Sequence, residues 1–416
     1  MSLFICGRTL KFIMKDVHCS FCGRKLSNND VIYAGNYGHI CEDCVAQIKE
    51  IEDLKEIEKP FDASKVSLNN VPKPKEIKEY LDQYIIGQDR VKERISVAVY
   101  NHYKRILSKE KTNVEISKSN ILVLGDTGTG KTLIAKTVAK MLNVPFAIAD
   151  ATVLTQAGYV GEDVESVLVR LYNNAGCDVD KTQNGIVFID EIDKIARKQS
   201  GTSITRDVSG EGVQQGLLKL LEGSVVNIPP KGGRKHPEAP MVEIDTTNIL
   251  FICGGAFIGI DKIIEQRNKG TSIGFMESKK RQETHETSNI LDNITPLDLK
   301  RFGLIPEIIG RLPVITYTDK LDRDSLIKIL KEPKDALIKQ YVELFKMDGI
   351  KLTFTNDALK AIVDNTIENE LGARGLRHTM ENIMNKAMFE MPSTDIKELK
   401  IDKKYVTNVL KKNGAT

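Results

Sequence analysis

Residues Gly125–Thr132 read GDTGTGKT, a complete GxxxxGK[ST] pattern placed directly after the apolar run Ile121-Leu122-Val123-Leu124. A buried strand, a glycine-rich turn and a helix opening near Lys131 would aim backbone N–H groups and a helix N-terminus at a polyphosphate. Within the loop, Gly125, Gly128 and Gly130 allow close approach, and Asp126, Thr127 and Thr129 complete the cradle. Lys131 can reach the β- and γ-phosphates, and the Thr132 hydroxyl can ligate Mg²⁺. A second apolar strand, Gly185-Ile186-Val187-Phe188-Ile189, ends in the adjacent carboxylates Asp190 and Glu191. Asp190 suits a water-mediated grip on Mg²⁺, and Glu191, at the strand's C-terminal edge, suits polarising an attacking water. The pair turns nucleoside triphosphate binding into hydrolysis.

Four of the seven cysteines are arranged rather than scattered. Cys19 and Cys22, then Cys41 and Cys44, form two CxxC pairs separated by 18 residues, the spacing of a four-thiolate zinc site. Two disulfides are the alternative, but a triphosphate-hydrolysing chain with no secretory signal belongs in a reducing compartment. His18 and His39 adjoin the cysteines and could replace a ligand.

The elements that must carry these groups follow from patterning. The chain has 416 residues, room for two to four domains, and its 60 basic and 57 acidic residues leave a net charge of +3. Such balance argues against a chain-wide nucleic-acid footprint. No apolar run approaches the roughly 18 residues needed to span a bilayer. The stretch Met1–Ile13 is too weakly apolar for a signal peptide, and Met14 is an alternative start. From Glu50 to Pro74 the sequence becomes charged and then proline-rich, as a linker does. Beyond it, a helical stretch Glu76–Leu107 leads into alternating strands and helices, which predict a parallel, helix-covered sheet. After Thr318 the pattern is mostly helical: Asp322–Phe345 broken near Pro333, a strand Lys351–Thr355, a helix capped by Asn356, and a helix Ala373–Met391.

A four-cysteine module, a P-loop core and a helical lid, in this order, resemble the ClpX family of AAA+ ATP-dependent unfoldases from about Lys15 to the chain's end. The resemblance implies an α/β fold, an AAA+ P-loop NTPase with a parallel-sheet core and a small, mostly helical C-terminal lid. The expected divisions are a zinc-binding domain at 15–55, a linker at 56–75, a large ATPase domain at 76–318 and a lid at 319–416. The implied cofactors are ATP, Mg²⁺ and Zn²⁺. The implied machine is a cytoplasmic homo-hexamer that takes up tagged or unfolded proteins, draws them through a central pore and passes them to a ClpP-type peptidase. Adaptor proteins would dock on the zinc domain, and no membrane or direct nucleic-acid partner is implied.

Residue by residue, Gly158-Tyr159-Val160-Gly161 resembles the family's first pore loop, with Tyr159 and Val160 gripping an extended chain. Arg206 lies in a segment similar to the second pore loop, and Arg234, Lys235 and His236 resemble the basic loop at the pore entrance. Arg311 matches the arginine finger that reaches a neighbour's γ-phosphate, and Arg374 the sensor-2 arginine of the lid. Ile85 and Ile86 resemble the segment that packs on adenine. Ile273, Gly274 and Phe275 resemble the tripeptide that docks on the peptidase. Asp126 stands where the family usually has proline, and the strand ending at Cys253 offers no Asn or Thr for a sensor-1 role, which is left unassigned. The competing reading is a zinc-containing, nucleic-acid-associated AAA+ loader; acids such as Asp30, Glu42, Asp43 and Glu50 within the zinc module weigh against it.

Overall fold

Ile121–Leu124 form a strand in the computed structural model, and all four side chains are buried, as a run of consecutive apolar residues requires when both faces of a sheet are covered. The structure describes residues 3–5, 8–10, 18–25, 31–34, 38–45, 71–108, 114, 116–155, 162–197, 210–229, 241–270, 289–369 and 372–413. They fall into two units, Met1–Pro60 and Phe61–Thr416.

In the larger unit, five strands form a sheet in the order Val314–Tyr317, Ile121–Leu124, Leu250–Gly255, Ile186–Asp190 and Phe146–Asp150. Every pairing is parallel, with Ile252 opposite Ile121 and Leu250 opposite Ile186. The P-loop strand is therefore internal, and the Asp190 strand is its neighbour but one. Successive residues point to opposite faces, so Leu122, Leu124, Val187, Ile189 and Phe251 join one core. Ile121, Val123, Ile186, Phe188 and Ile252 join the other. Helices Ser166–Asn174 and Glu211–Glu222 cover the first face through Val167, Leu171, Val213 and Leu217. Helices Pro74–Asp82, Asp89–Ser108 and Lys131–Met141 cover the second.

The expected helix Glu76–Leu107 is in fact two, because the chain turns at Gly87 and Gln88, whose φ angles of 62° and 61° no helix accommodates. The antiparallel pair Val225–Ile228 and Val242–Asp245 was not legible from its pattern.

The helix-rich region has a separate core built from Leu326, Leu330, Phe345, Ile362, Leu376, Met380 and Ile383. The expected break near Pro333 separates Arg323–Lys331 from Leu337–Met347. Lys351–Phe354 pairs in parallel with Glu398–Ile401, and the helix after it is capped by Thr355, whose side chain accepts from Ala358 N–H, one residue earlier than expected. Gln88 ties this region to the sheet domain. Its amide donates to Asp319 O and accepts from Asp319 N–H, both at 2.8 Å.

In the smaller unit Ile32–Ala34 and His39–Cys41 form an antiparallel pair. Leu3–Ile5 and Arg8–Leu10 join the same sheet, so this unit takes in residues before the expected start at 15.

Candidate functional site

The CxxC turns bring four thiols together. Cys19, Cys22, Cys41 and Cys44 place their sulfurs within 4.8 Å of one another, with Cys19···Cys44 at 3.9 Å and Cys22···Cys41 at 3.8 Å. A tetrahedron of Zn–S bonds of about 2.3 Å has edges of about 3.8 Å, so the cage has the size of a zinc site, whereas a disulfide needs about 2.05 Å. Cys41 N–H also donates to Cys19 Sγ at 3.4 Å. Hydrogen bonding from the Cys22 backbone N–H draws the Cys19 thiol down to about 6, while hydrogen bonding with Cys41 and then burial push Cys44 up to about 12. A bound cation would remove that conflict by taking all four as thiolates. His18 and His39 stand outside the four-sulfur group. Chelating the zinc is expected to unfold residues 18–45, measured by amide hydrogen exchange, while ATP turnover persists; turnover lost in step with zinc would show the two units to be interdependent.

The phosphate loop is built on left-handed glycines. Gly125, Gly128 and Gly130 have φ of 141°, 84° and 97°. At Gly125 a Cβ would lie 2.0 Å from Thr318 Oγ1, so glycine is required on both counts. Thr318 Oγ1 in turn meets Thr129 Oγ1 at 2.6 Å, and Thr129 donates to Asp126 O at 2.8 Å. Gly125, Asp126 and Thr129 thus shape the loop from behind. Thr127, Gly128, Gly130, Lys131 and Thr132 face a cavity of about 850 Å³, near the upper end of the about 300–1,000 Å³ usual for ligand sites. The Lys131 ammonium folds back on Gly125 O and Asp126 O, at 2.6 and 2.9 Å. Burial lowers its pKa from the ordinary lysine value, against the pull of Asp190 and Asp193.

Asp190 and Glu191 line the same cavity. Thr132 Oγ1 donates to Asp190 Oδ2 at 3.1 Å, and Glu191 N–H to Asp190 Oδ1 at 3.0 Å. Glu191 is exposed and left-handed, φ 56°, a conformation that costs a non-glycine residue about 1–3 kcal/mol and that clusters at functional sites.

The lid closes the cavity from the far side in sequence. Arg374 and Arg377, one turn apart on the helix Gly372–Glu390, line it together with Ile329, Pro333, Ala336 and Leu337. These apolar residues and Tyr84 make a wall fit for a base. Ile85, which the resemblance assigns to adenine packing, is buried in the same core as Val91 and Ile95, and Ile86 beside it is half-buried.

Sequence reasoning also missed Asp193. It is buried, lines the cavity and accepts from Ala256 N–H at 3.1 Å, while a Cβ on Gly255 would come within 2.6 Å of its Oδ1. Its position three residues after Asp190 was the available signal. Ala256 and Ile258, after the strand Leu250–Gly255, bring no polar side chain to the lining, so the sensor-1 role stays unassigned. Arg311 is absent from its own chain's cavity and pairs with Glu222. Tyr159, Val160, Arg206, Arg234, Lys235, His236, Ile273, Gly274 and Phe275 lie outside the described residues. Among the described residues no helix is long and apolar enough to cross a membrane.

Three family models match this chain. Residues 17–53 match the ClpX C4-type zinc finger, residues 116–315 the AAA domain (Cdc48 subfamily), and residues 321–404 the C-terminal, D2-small domain, of ClpB protein. The chain is also similar to whole curated proteins named ATP-dependent Clp protease ATP-binding subunit ClpX. That of Bacteroides thetaiotaomicron is 57% identical over 397 residues, covering 95% of this chain and 96% of its own length. That of Porphyromonas gingivalis is 56% identical over 391 residues, covering 93% and 95%. That of Treponema denticola is 51% identical over 393 residues, covering 94% of each.

Proposed function

The chain belongs to the ClpX family of ATP-dependent Clp protease ATP-binding subunits, and from that premise we propose that it unfolds tagged proteins and feeds them through a hexameric pore to a ClpP-type peptidase. It is an AAA+ ATPase, and its cofactors are ATP, Mg²⁺ and Zn²⁺. Its small zinc unit precedes an ATPase core and a lid in one chain.

The observation that carries the proposal is the division of labour around the cavity. One chain supplies the loop, the Asp190-Glu191 pair and the lid arginine, whereas Arg311 lies outside that cavity against Glu222, which supports its use by a neighbouring copy. Thr132 and Asp190 are the residues that would hold Mg²⁺, which when bound neutralises charge on the β- and γ-phosphates. Lys131 leaves its loop carbonyls for phosphate oxygens. Glu191 orients water and accepts its proton as the water oxygen bonds to the γ-phosphorus and the bond to the ADP oxygen breaks. Arg374, on the lid, loses a phosphate partner when the γ-phosphate departs. The lid can then rotate about the Gln88–Asp319 joint, and Tyr159 and Val160 are the residues that would grip the substrate chain. Arg206, Arg234, Lys235 and His236 offer positive charge to acidic tags or C-terminal carboxylates. A cytoplasmic setting and adaptors bound at the zinc unit complete the proposal.

The test is an unfolding assay on a stable, tagged fluorescent protein. Fluorescence should fall only with ATP, and peptides should appear only when a ClpP-type peptidase is added; ATP turnover without any loss of fluorescence would sink the unfoldase assignment. Deleting Ile273–Phe275 should abolish peptide release yet leave unfolding and ATPase activity as they were. Release that survives the deletion would remove the docking role from this tripeptide.

A further inference from the structure

Arg311 ends the short helix Pro306–Arg311, and its guanidinium is held along one edge. Nε and Nη2 both donate to Glu222 Oε1, at 3.1 and 2.9 Å. A guanidinium has five N–H donors in a planar fork, so this contact leaves the Nη1 end open for an oxyanion. The two side chains are 52% and 42% exposed, and an ion pair so placed contributes only about 0–1 kcal/mol to stability. What it does supply is direction. A long side chain with several free torsions is restricted to one approach.

Glu222 is itself firmly placed. It is the last residue of the helix Glu211–Glu222, whose end is tied down by side chains from the segment leading into the P-loop strand. Lys118 Nζ donates to Leu220 O at 3.2 Å and to Thr246 O at 2.8 Å. Asn120 is fully buried, and its Nδ2 donates both to Leu221 O at 3.1 Å and to Arg311 O at 2.9 Å. Its Oδ1 accepts from Phe251 N–H at 3.4 Å. One amide therefore joins the backbone of Arg311, the end of the Glu222 helix and a sheet strand. Asn120 also directly precedes Ile121, the first residue of the strand that carries the phosphate loop.

We propose that Glu222 is a positioning residue for Arg311, and that Asn120 fixes the backbone on which both sit. The finger offered to a neighbouring subunit is thereby aimed by the chain's own P-loop strand. The inference rests on the reading of Arg311 as a residue acting in trans.

The test uses the assembled full-length protein and steady-state ATP turnover. Glu222→Gln keeps the size of the side chain at an exposed position and removes its charge. It should lower kcat on the order of 10- to 100-fold, the cost of misplacing a reacting group by about 1 Å. KM for ATP should be unchanged, because the cavity residues are intact; a merely structural role would disturb both together. Glu222→Asp, which keeps the carboxylate, should recover part of the loss. In an Arg311→Ala background Glu222→Gln should have no further effect. An unchanged or raised kcat in Glu222→Gln, or a further fall in the Arg311→Ala background, overturns the proposal. If Arg311→Ala is impaired and Glu222→Gln is not, only the positioning role fails. If Arg311→Ala itself turns over normally, the trans reading and this inference fail together.

Discussion

Replacing Glu191 by Gln is expected to leave ATP binding intact while lowering kcat by about two to four orders of magnitude, the usual contribution of a positioned general base. The substitution is isosteric, so the exposed left-handed residue keeps its volume and hydrogen-bonding length. What it loses is the ability to accept a proton. Binding should be retained because Gly128, Gly130, Lys131 and Thr132, the residues proposed to hold the phosphates, line the same cavity and are unaltered. Thermal unfolding in saturating ATP checks the first half: a ligand at about 100 times its Kd adds roughly 2.7 kcal/mol to stability, and the variant should show the native upward shift. Phosphate release checks the second. Native turnover in Glu191→Gln would assign proton transfer to another group, and Asp193, buried in the lining of the same cavity, would be the next to test.

Arg311→Ala should be nearly as damaging, with a fall of at least about 10³ in kcat if the residue acts as an arginine finger, or roughly 4 kcal/mol of transition-state stabilisation. The fold itself should be little affected, because the pair with Glu222 is largely exposed. The decisive measurement is mixing. Neither Glu191→Gln nor Arg311→Ala rings contain an intact site if each site draws Glu191 from one subunit and Arg311 from its neighbour. Mixed rings do contain some, so activity should reappear on mixing the two inactive proteins. Mixtures as inactive as their components would place Arg311 in some role confined to its own chain.

Local chemistry was legible because it is written in contiguous residues. The loop Gly125–Thr132, the pair Asp190-Glu191 and both CxxC turns each lie within eight residues or fewer, and short-range backbone geometry is enough to arrange them. Hydrophobic runs located the strands Ile121–Leu124 and Ile186–Asp190 for the same reason, since consecutive apolar residues imply two covered faces. The expected helix Glu76–Leu107 failed where apolar periodicity continued across the turn at Gly87 and Gln88. That turn is stabilised by a partner more than 200 residues away, Asp319, which no local pattern contains.

By itself the sequence determined which chemistries this protein possesses: phosphate binding, a carboxylate pair for hydrolysis, and a thiolate cage for zinc. The tertiary structure alone decided which of these groups meet. The strand order set Ile121–Leu124 and Leu250–Gly255 side by side, and the lid's own core carried Arg374 to the phosphate loop. It also set Tyr84 beside Ile329 and Ala336 in the cavity lining, and placed Arg311 against Glu222, outside its own chain's cavity. The physical reason is that these juxtapositions are consequences of burying apolar faces, on both sides of the sheet and within the lid's separate core. A charged or polar residue at a helix end goes where that packing takes it, so its partner is set by the whole core and not by its neighbours in the chain.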